Sequence, residues 1–131
     1  MEHDDKRVAN LWLADELWQL DAIQFCDFSL GTAVHSPVYI NLRLLISNPA
    51  ALREAAEVMF EEVRTLQNMR HPHLAHYDLV AGVPFGGLHL ATAFSLLSGT
   101  PMIYLHPSRD GMSQVIEGTY SSGQTVLIID D

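Results

Sequence analysis

Apolar residues recur along parts of this chain at alternating intervals of three and four, the spacing of one face of an α-helix. The clearest stripe is formed by Leu52, Ala56, Met59, Val63 and Leu66. Asn48-Pro49 supplies a capping side chain and a first-turn proline, so the pattern predicts a helix from there to about Met69. Two more helices are predicted, one capped by Asp4 or Asp5 and ending near Leu20, and one over Leu88 to Leu97 closed by Gly99.

Shorter apolar runs bounded by turn residues predict strands. The runs are Phe25–Ser29, Pro37–Asn41, Leu79–Gly82, Met102–Leu105 and Val126–Ile129. The last is unbroken and does not alternate, which favours a strand buried on both faces of a parallel sheet. Because strands and helices alternate from residue 48 onward, the sequence predicts an α/β fold with a mainly parallel sheet flanked by helices.

Two stretches of this pattern are candidates for ligand binding. Asp130-Asp131 follows the last strand, and the carboxyl ends of parallel strands are where open α/β sheets bind ligands. Gly86-Gly87 lies between a strand and a helix, a position from which backbone N–H groups can face an anion. The chain stops at Asp131, at the mouth of this expected site, so we expect a truncated form or a fragment.

Composition narrows the class of protein. The 131 residues allow at most one domain, and 48% hydrophobic residues indicate a globular one. A net charge of −9, with Lys6 as the single lysine, argues against nucleic acid as a partner. Without an apolar run of about 18 residues, no membrane segment is expected. The single Cys26 indicates a structural thiol in a reducing cytoplasm.

Several segments together resemble one family, the orotate phosphoribosyltransferases of the type I phosphoribosyltransferase family. The resemblance runs from about residue 8 to residue 131 in the family's order. Its segments are His35-Ser-Pro-Val-Tyr-Ile-Asn-Leu-Arg43, Ser47-Asn-Pro49, Gly82-Val-Pro-Phe-Gly-Gly-Leu-His-Leu-Ala-Thr92, Pro101-Met-Ile-Tyr104, Ile116-Glu-Gly118 and Gly123-Gln-Thr-Val-Leu-Ile-Ile-Asp-Asp131.

The resemblance implies a fold and a reaction. The fold is an incomplete type I phosphoribosyltransferase domain over residues 1–131, with an N-terminal hood over 1–47, the first part of the core over 48–131 and a lid over 106–123. The reaction transfers phosphoribosyl from phosphoribosyl pyrophosphate (PRPP) to orotate, giving orotidine 5′-phosphate in pyrimidine biosynthesis. The family also implies a homodimer, for which a flank carrying Trp12 and Trp18 would suit the interface.

Site residues are carried over from the family's motifs. Catalysis is assigned to Asp130, Asp131 and Arg109, with Mg²⁺ held by the two aspartates directly or through water. Diphosphate binding is assigned to Pro84, Phe85, Gly86, Gly87, His106 and Arg109. Base binding is assigned to Gly31, Tyr39 and Ile40. Carboxylates suit this role because Mg²⁺ prefers oxygen ligands and a positively charged transition state favours nearby negative charge.

The sequence also departs from the family. Lysines of the family fall on Gly31 and Gly86, and Arg109 is the one permanent cation kept in the lid, with His106 as a weaker helper. The 5′-phosphate loop is absent. We therefore expect the chain not to be a complete catalyst, and a non-catalytic ligand-sensing or interaction module with the same fold stays an alternative. A receiver-like domain is disfavoured, because the Asp-Asp strand would open such a domain and here it closes the chain.

Overall fold

The computed structural model describes residues 11–30, 33–107 and 114–131, and these residues divide into two compact units, one ending at Ala51 and one running from Leu52 to Asp131. The first unit contains helix α1 (Leu11–Gln19), strands β1 (Ile23–Leu30) and β2 (Ala33–Ile40) and a 3₁₀ helix (Leu42–Ser47). Helix α2 (Pro49–Asn68) begins in the first unit and continues into the second. The second unit adds β3 (Leu79–Gly82), α3 (Gly86–Ser98), β4 (Met102–Pro107), β5 (Gln114–Glu117) and β6 (Val126–Ile129).

The first unit is built on an antiparallel hairpin of β1 and β2, which confirms the two strands expected there. Ile23 pairs with Ile40 at the open end, and the register shifts twice along the ladder. Leu17 of α1 and Ala22 are buried, and Ala22 accepts a hydrogen bond of 2.8 Å from the backbone N–H of Asn41. This bond joins the turn between α1 and β1 to the residue that follows β2.

Helix α2 begins where the sequence predicts. The Oδ1 of Asn48 accepts a hydrogen bond of 3.2 Å from the backbone N–H of Ala51, and Pro49 is the first helical residue. The Nδ2 of Asn48 also donates to Glu16 at 2.8 Å, which ties the cap to α1. An Asn cap of this kind satisfies one of the N–H groups that the first turn leaves without a partner.

The second unit is organised around a four-stranded sheet in the order β5-β4-β3-β6. The central strand β3 pairs in parallel with β4, through Val80 and Met102, and with β6, through Val80 and Leu127. Strand β5 is antiparallel to β4. The sheet is thus mixed and mostly parallel, which confirms the predicted α/β class.

Helix α3 and the sheet enclose the core of this unit. Val80 and Phe94 are fully buried, and the ring of Phe60 meets that of Phe94 edge-on with centroids 5.8 Å apart. The ring of Tyr77 lies 6.5 Å from that of Phe94, and burial raises the pKa of its phenol. Gly99 ends α3 with φ at 70° and donates its N–H to Ser95 at 2.9 Å, as the sequence predicts.

Strand β6 corrects one expectation, since it is not buried on both faces. It is last in the order of the described strands, and Ile128 is 68% exposed whereas Ile129 is 8% exposed. Successive side chains of a strand point to opposite faces, so the described residues cover only the face of Ile129. A four-residue apolar run does not reveal which face is covered.

The segment from β4 to β5 begins and ends in a pair of antiparallel strands, as a β-hairpin does. Strand β4 continues to Pro107, and β5 pairs with it antiparallel through Leu105 and Ile116 and through His106 and Val115. Residues 108–113 lie outside the described residues, so the lid expected over 106–123 stays a prediction.

Three further observations concern Cys26, Trp18 and the helices. Cys26 is exposed, so it does not pack in a core as a structural thiol would. Trp18 is 61% exposed and its ring lies 6.2 Å from that of Phe25, so its side chain lies on the surface of the first unit. Among the helices of the described ranges, none is long and apolar enough to cross a membrane.

Candidate functional site

The carboxyl end of β6 meets the first turn of α3. The helix begins at Gly86 rather than at Leu88, so both glycines lie within its first turn, and both are buried. Val83 donates its backbone N–H to the carbonyl of Ile129 at 2.9 Å and accepts one from Gly87 at 2.9 Å. The loop between β3 and α3 is therefore attached to the end of β6.

Two glycines permit this close approach of backbone to backbone. A methyl group on Gly87 would lie 2.5 Å from the carbonyl oxygen of Ile129 and 3.1 Å from the Cα of Asp130. A methyl group on Gly82 would lie 2.8 Å from both the carbonyl oxygen of Gly87 and the Cα of Leu88. Any larger residue would push the helix away from the strands.

Gly86 faces a side chain instead. A methyl group at this position would overlap the carboxylate of Asp131, which therefore lies directly over the first residue of α3. The backbone N–H of Asp131 donates to the Oδ1 of Asp130 at 2.9 Å, and both aspartates are exposed to solvent. A carboxylate in this place interacts favourably with the positive end of the helix dipole.

The rest of the predicted diphosphate loop lies between these elements. Pro84 is half-buried, while the ring of Phe85 is 80% exposed beside the glycines. The peptide bond that joins them is cis. The structure therefore brings together Pro84 to Gly87 and the Asp130-Asp131 pair.

The remaining predicted residues belong to other strands or fall outside the described residues. His106 lies in β4, exposed and opposite Val115. Tyr39 and Ile40 lie in β2 of the first unit, where Arg43 donates through Nη2 to the hydroxyl of Tyr39 at 2.6 Å. Two further candidates, Gly31 and Arg109, fall outside the described residues.

The donor set suits a hard divalent cation paired with an anion. Two neighbouring carboxylates offer the oxygen ligands that Mg²⁺ prefers. Within the described ranges, no group of three or more His, Cys, Asp or Glu could hold a metal by itself. A cation here would therefore take its remaining ligands from water and from the oxygens of its ligand, which is the usual way in which Mg²⁺ binds with phosphates.

Sequence reasoning missed two features of this region. One is the backbone hydrogen bond between Val83 and Ile129, which no residue type in the sequence indicates. The other is an apolar cavity of about 280 Å³ in the same unit, bounded among others by Val83, Leu105, Ile116 and Ile128. No sequence signal marks this cavity, because the four consecutive apolar residues of β6 do not show which side chains face it.

Comparison with known proteins places these elements in context. No protein-family model matches the chain. An orotate phosphoribosyltransferase of Caenorhabditis elegans is 34% identical over 119 residues, which cover 89% of this chain and 49% of the relative. The structure of Leishmania donovani UMP synthase is 35% identical with a TM-score of 0.76, covering 94% of this chain and 25% of that one. The orotate phosphoribosyltransferase structure from Aeropyrum pernix is 27% identical with a TM-score of 0.64, covering 91% and 63%.

These likenesses agree with the motifs and with the observed sheet. The chain spans about half the length of the C. elegans enzyme and a quarter of the Leishmania protein. Over the region that the chain does span, the order of the motifs, the sequence identity and the fold all indicate the same family. The chain is orotate phosphoribosyltransferase-like in sequence and in fold over about nine-tenths of its own length.

Proposed function

We propose that the chain acts in orotate phosphoribosyl transfer, in which orotate displaces pyrophosphate from PRPP to give orotidine 5′-phosphate in pyrimidine biosynthesis. The observation that carries the proposal is the meeting of Asp130-Asp131 with Gly86-Gly87. A pair of carboxylates beside a helix N-terminus can receive a sugar with positive charge and a diphosphate at the same place. The relatives named above support the same reaction.

Each part of the cluster has a distinct role in this proposal. The first turn of α3 and the loop of Pro84 and Phe85 receive the diphosphate. Asp130 and Asp131 hold the ribose hydroxyls and bind Mg²⁺, directly or through water, and Mg²⁺ supplies charge neutralisation of the diphosphate when it is bound. Arg109 and His106, from the proposed lid, contribute positive charge to diphosphate binding. Gly31, Tyr39 and Ile40 contact the base.

A non-catalytic ligand-binding module remains the second candidate. The observation that favours it lies at Gly86. The family has a lysine at this position, whereas here the carboxylate of Asp131 lies beside the glycine. Loss of a charge-assisted contact costs about 1.5–3 kcal/mol. Such a module would bind PRPP with Mg²⁺ and would not transfer the phosphoribosyl group.

We also propose a cytoplasmic homodimer. The rings of Trp18 and Phe25 are 61% and 69% exposed, and together they form an aromatic patch on the first unit. Exposed aromatic clusters of this kind are typical of interface cores. The hood and lid proposed for residues 1–47 and 106–123 would then contribute to the contact between subunits.

Titration with PRPP tests the proposal. We expect binding that requires Mg²⁺, followed by formation of orotidine 5′-phosphate from orotate if the chain is an enzyme. Arg109→Ala should weaken binding of PRPP and pyrophosphate about tenfold or more, because one charge-assisted contact is lost. Arg53→Ala on α2 is the matched control, since Arg53 is an exposed arginine outside the cluster, and it should bind as the wild type does.

The possible results separate the candidates. Binding together with turnover supports the enzyme, and binding without turnover supports the module. Absence of Mg²⁺-dependent binding would contradict both. Equal affinities of the wild type and Arg109→Ala would remove Arg109 from the site and leave the cluster of α3 and β6 intact.

A further inference from the structure

The side chain of Tyr39 is held at its far end, through its hydroxyl. The Nη2 of Arg43 donates a hydrogen bond to this hydroxyl at 2.6 Å, and the Nε of the same guanidinium donates to the Oδ1 of Asn41 at 2.9 Å. Tyr39 lies in β2, Asn41 follows that strand, and Arg43 lies in the 3₁₀ helix. One guanidinium therefore joins a side chain of the strand to a side chain just beyond its end.

The backbone around these side chains is attached to buried parts of the first unit. The N–H of Asn41 donates to the carbonyl of Ala22, which is buried, at 2.8 Å. Leu45, two residues after Arg43 in the same 3₁₀ helix, is buried as well. Because the backbone is fixed on both sides, two hydrogen bonds from a planar guanidinium restrict how the ring of Tyr39 can turn.

A ring that is held in this way suits a planar ligand. Tyr39 is half-buried, so part of its side chain faces solvent. Pyrimidine bases are planar and stack on aromatic side chains. A side chain that is already fixed in its binding orientation loses less conformational entropy when the ligand binds. The hydrogen bond from Arg43 should therefore raise the affinity of Tyr39 for a base without a contact between Arg43 and the base.

We propose that Arg43 is a positioning residue for base binding, which acts by holding the hydroxyl of Tyr39. The inference rests on the base-binding role of Tyr39 in the proposed function and deepens it. Since Arg43 acts through Tyr39, it affects the affinity for the planar base and leaves the affinity for the diphosphate unchanged. Arg109, by contrast, has its proposed role in binding the diphosphate.

Binding of orotate to the whole chain tests the inference. Calorimetry is carried out with Mg²⁺ and saturating pyrophosphate, so that no phosphoribosyl transfer takes place. We expect Arg43→Ala to weaken orotate binding about three- to tenfold, because one hydrogen bond to the ring is lost. Tyr39→Phe keeps the ring and removes only the hydroxyl, so it should weaken binding to the same extent.

The double variant separates positioning from direct contact. If Arg43 acts through the hydroxyl, Arg43→Ala combined with Tyr39→Phe should bind orotate no more weakly than either single variant, because both substitutions remove the same interaction. Losses that multiply would show that Arg43 acts independently of Tyr39, and would overturn the inference. Arg43→Lys should recover part of the affinity, since lysine keeps a charged donor but lacks the planar fork.

Two controls exclude a general loss of structure. Arg53→Ala removes an exposed arginine of α2 and should bind orotate as the wild type does. Arg43→Ala should keep the wild-type affinity for pyrophosphate with Mg²⁺ and the wild-type midpoint of urea unfolding, because exposed charged side chains contribute little to stability. Parallel losses of pyrophosphate and orotate affinity would indicate a structural role of Arg43 and contradict the inference.

Failure of the inference can be told apart from failure of the proposed function. Equal orotate affinities of the wild type and Arg43→Ala, with PRPP still bound in the presence of Mg²⁺, would overturn the inference alone. A wild type that binds PRPP but not orotate would overturn it too. A wild type that does not bind PRPP with Mg²⁺ would contradict the proposed function, and the inference would fall with it.

Discussion

Two phenylalanines show how strongly the role of one residue type depends on its surroundings. Phe94 on α3 is fully buried against Phe60 and Tyr77, whereas Phe85, one helix turn before Leu88, is 80% exposed. Truncation of a buried phenylalanine removes apolar burial and leaves a cavity. Truncation of an exposed one does neither.

We therefore expect Phe94→Ala to lower the free energy of unfolding by about 3–5 kcal/mol and Phe85→Ala to change it by no more than about 0.5 kcal/mol. Urea unfolding followed by circular dichroism measures both. If Phe85→Ala weakens pyrophosphate binding without loss of stability, the exposed ring acts in the site. Similar losses of stability in the two variants would contradict the assignment of the core.

At the scale of elements, strand β6 has two unequal faces. Ile129 is 8% exposed, and its carbonyl accepts the N–H of Val83, whereas Ile128 is 68% exposed. Ile129→Ala should lower the free energy of unfolding by about 2–5 kcal/mol, and Ile128→Ala by clearly less. Thermal or urea unfolding of the two variants compares the faces directly, because residue type, strand and substitution are the same.

The comparison also bears on the site. Ile129 directly precedes the aspartates, so a cavity beneath it should let the end of β6 move relative to α3. Ile129→Ala should then weaken Mg²⁺-dependent pyrophosphate binding more than Ile128→Ala does. Equal effects of the two substitutions would show that both faces of β6 are covered to the same extent.

At the scale of the whole molecule, the exposed aromatic patch of Trp18 and Phe25 leads to a prediction about assembly. Light scattering at micromolar concentration should give the mass of a dimer, twice 14.6 kDa. Trp18→Ser together with Phe25→Ser should shift the mass toward that of a monomer, since aromatic anchors dominate interface energies. Leu96→Ser is a matched control, because Leu96 is 82% exposed on α3, outside the patch. A monomeric wild type would contradict the dimer.

The sequence by itself determined the elements whose signals are local. The cap at Asn48 and Pro49, the end of α3 at Gly99 and strands β3, β4 and β6 follow from residue types within a few positions of each other. These local predictions hold in the folded protein because the interactions on which they depend form within one helical turn or one strand. The order of the motifs, likewise readable along the chain, was enough to indicate the family that the comparisons support.

Only the tertiary structure decided what depends on contacts between distant segments. The position of β6 beside β3 and at the end of the described sheet, the exposure of Ile128 and the bond from Val83 to Ile129 depend on residues more than forty positions apart. The same holds for Gly86. In the sequence it is a turn glycine at a position where the family has a lysine. In the structure it is the space for Asp131, because the carboxyl end of one strand and the first turn of a helix meet there.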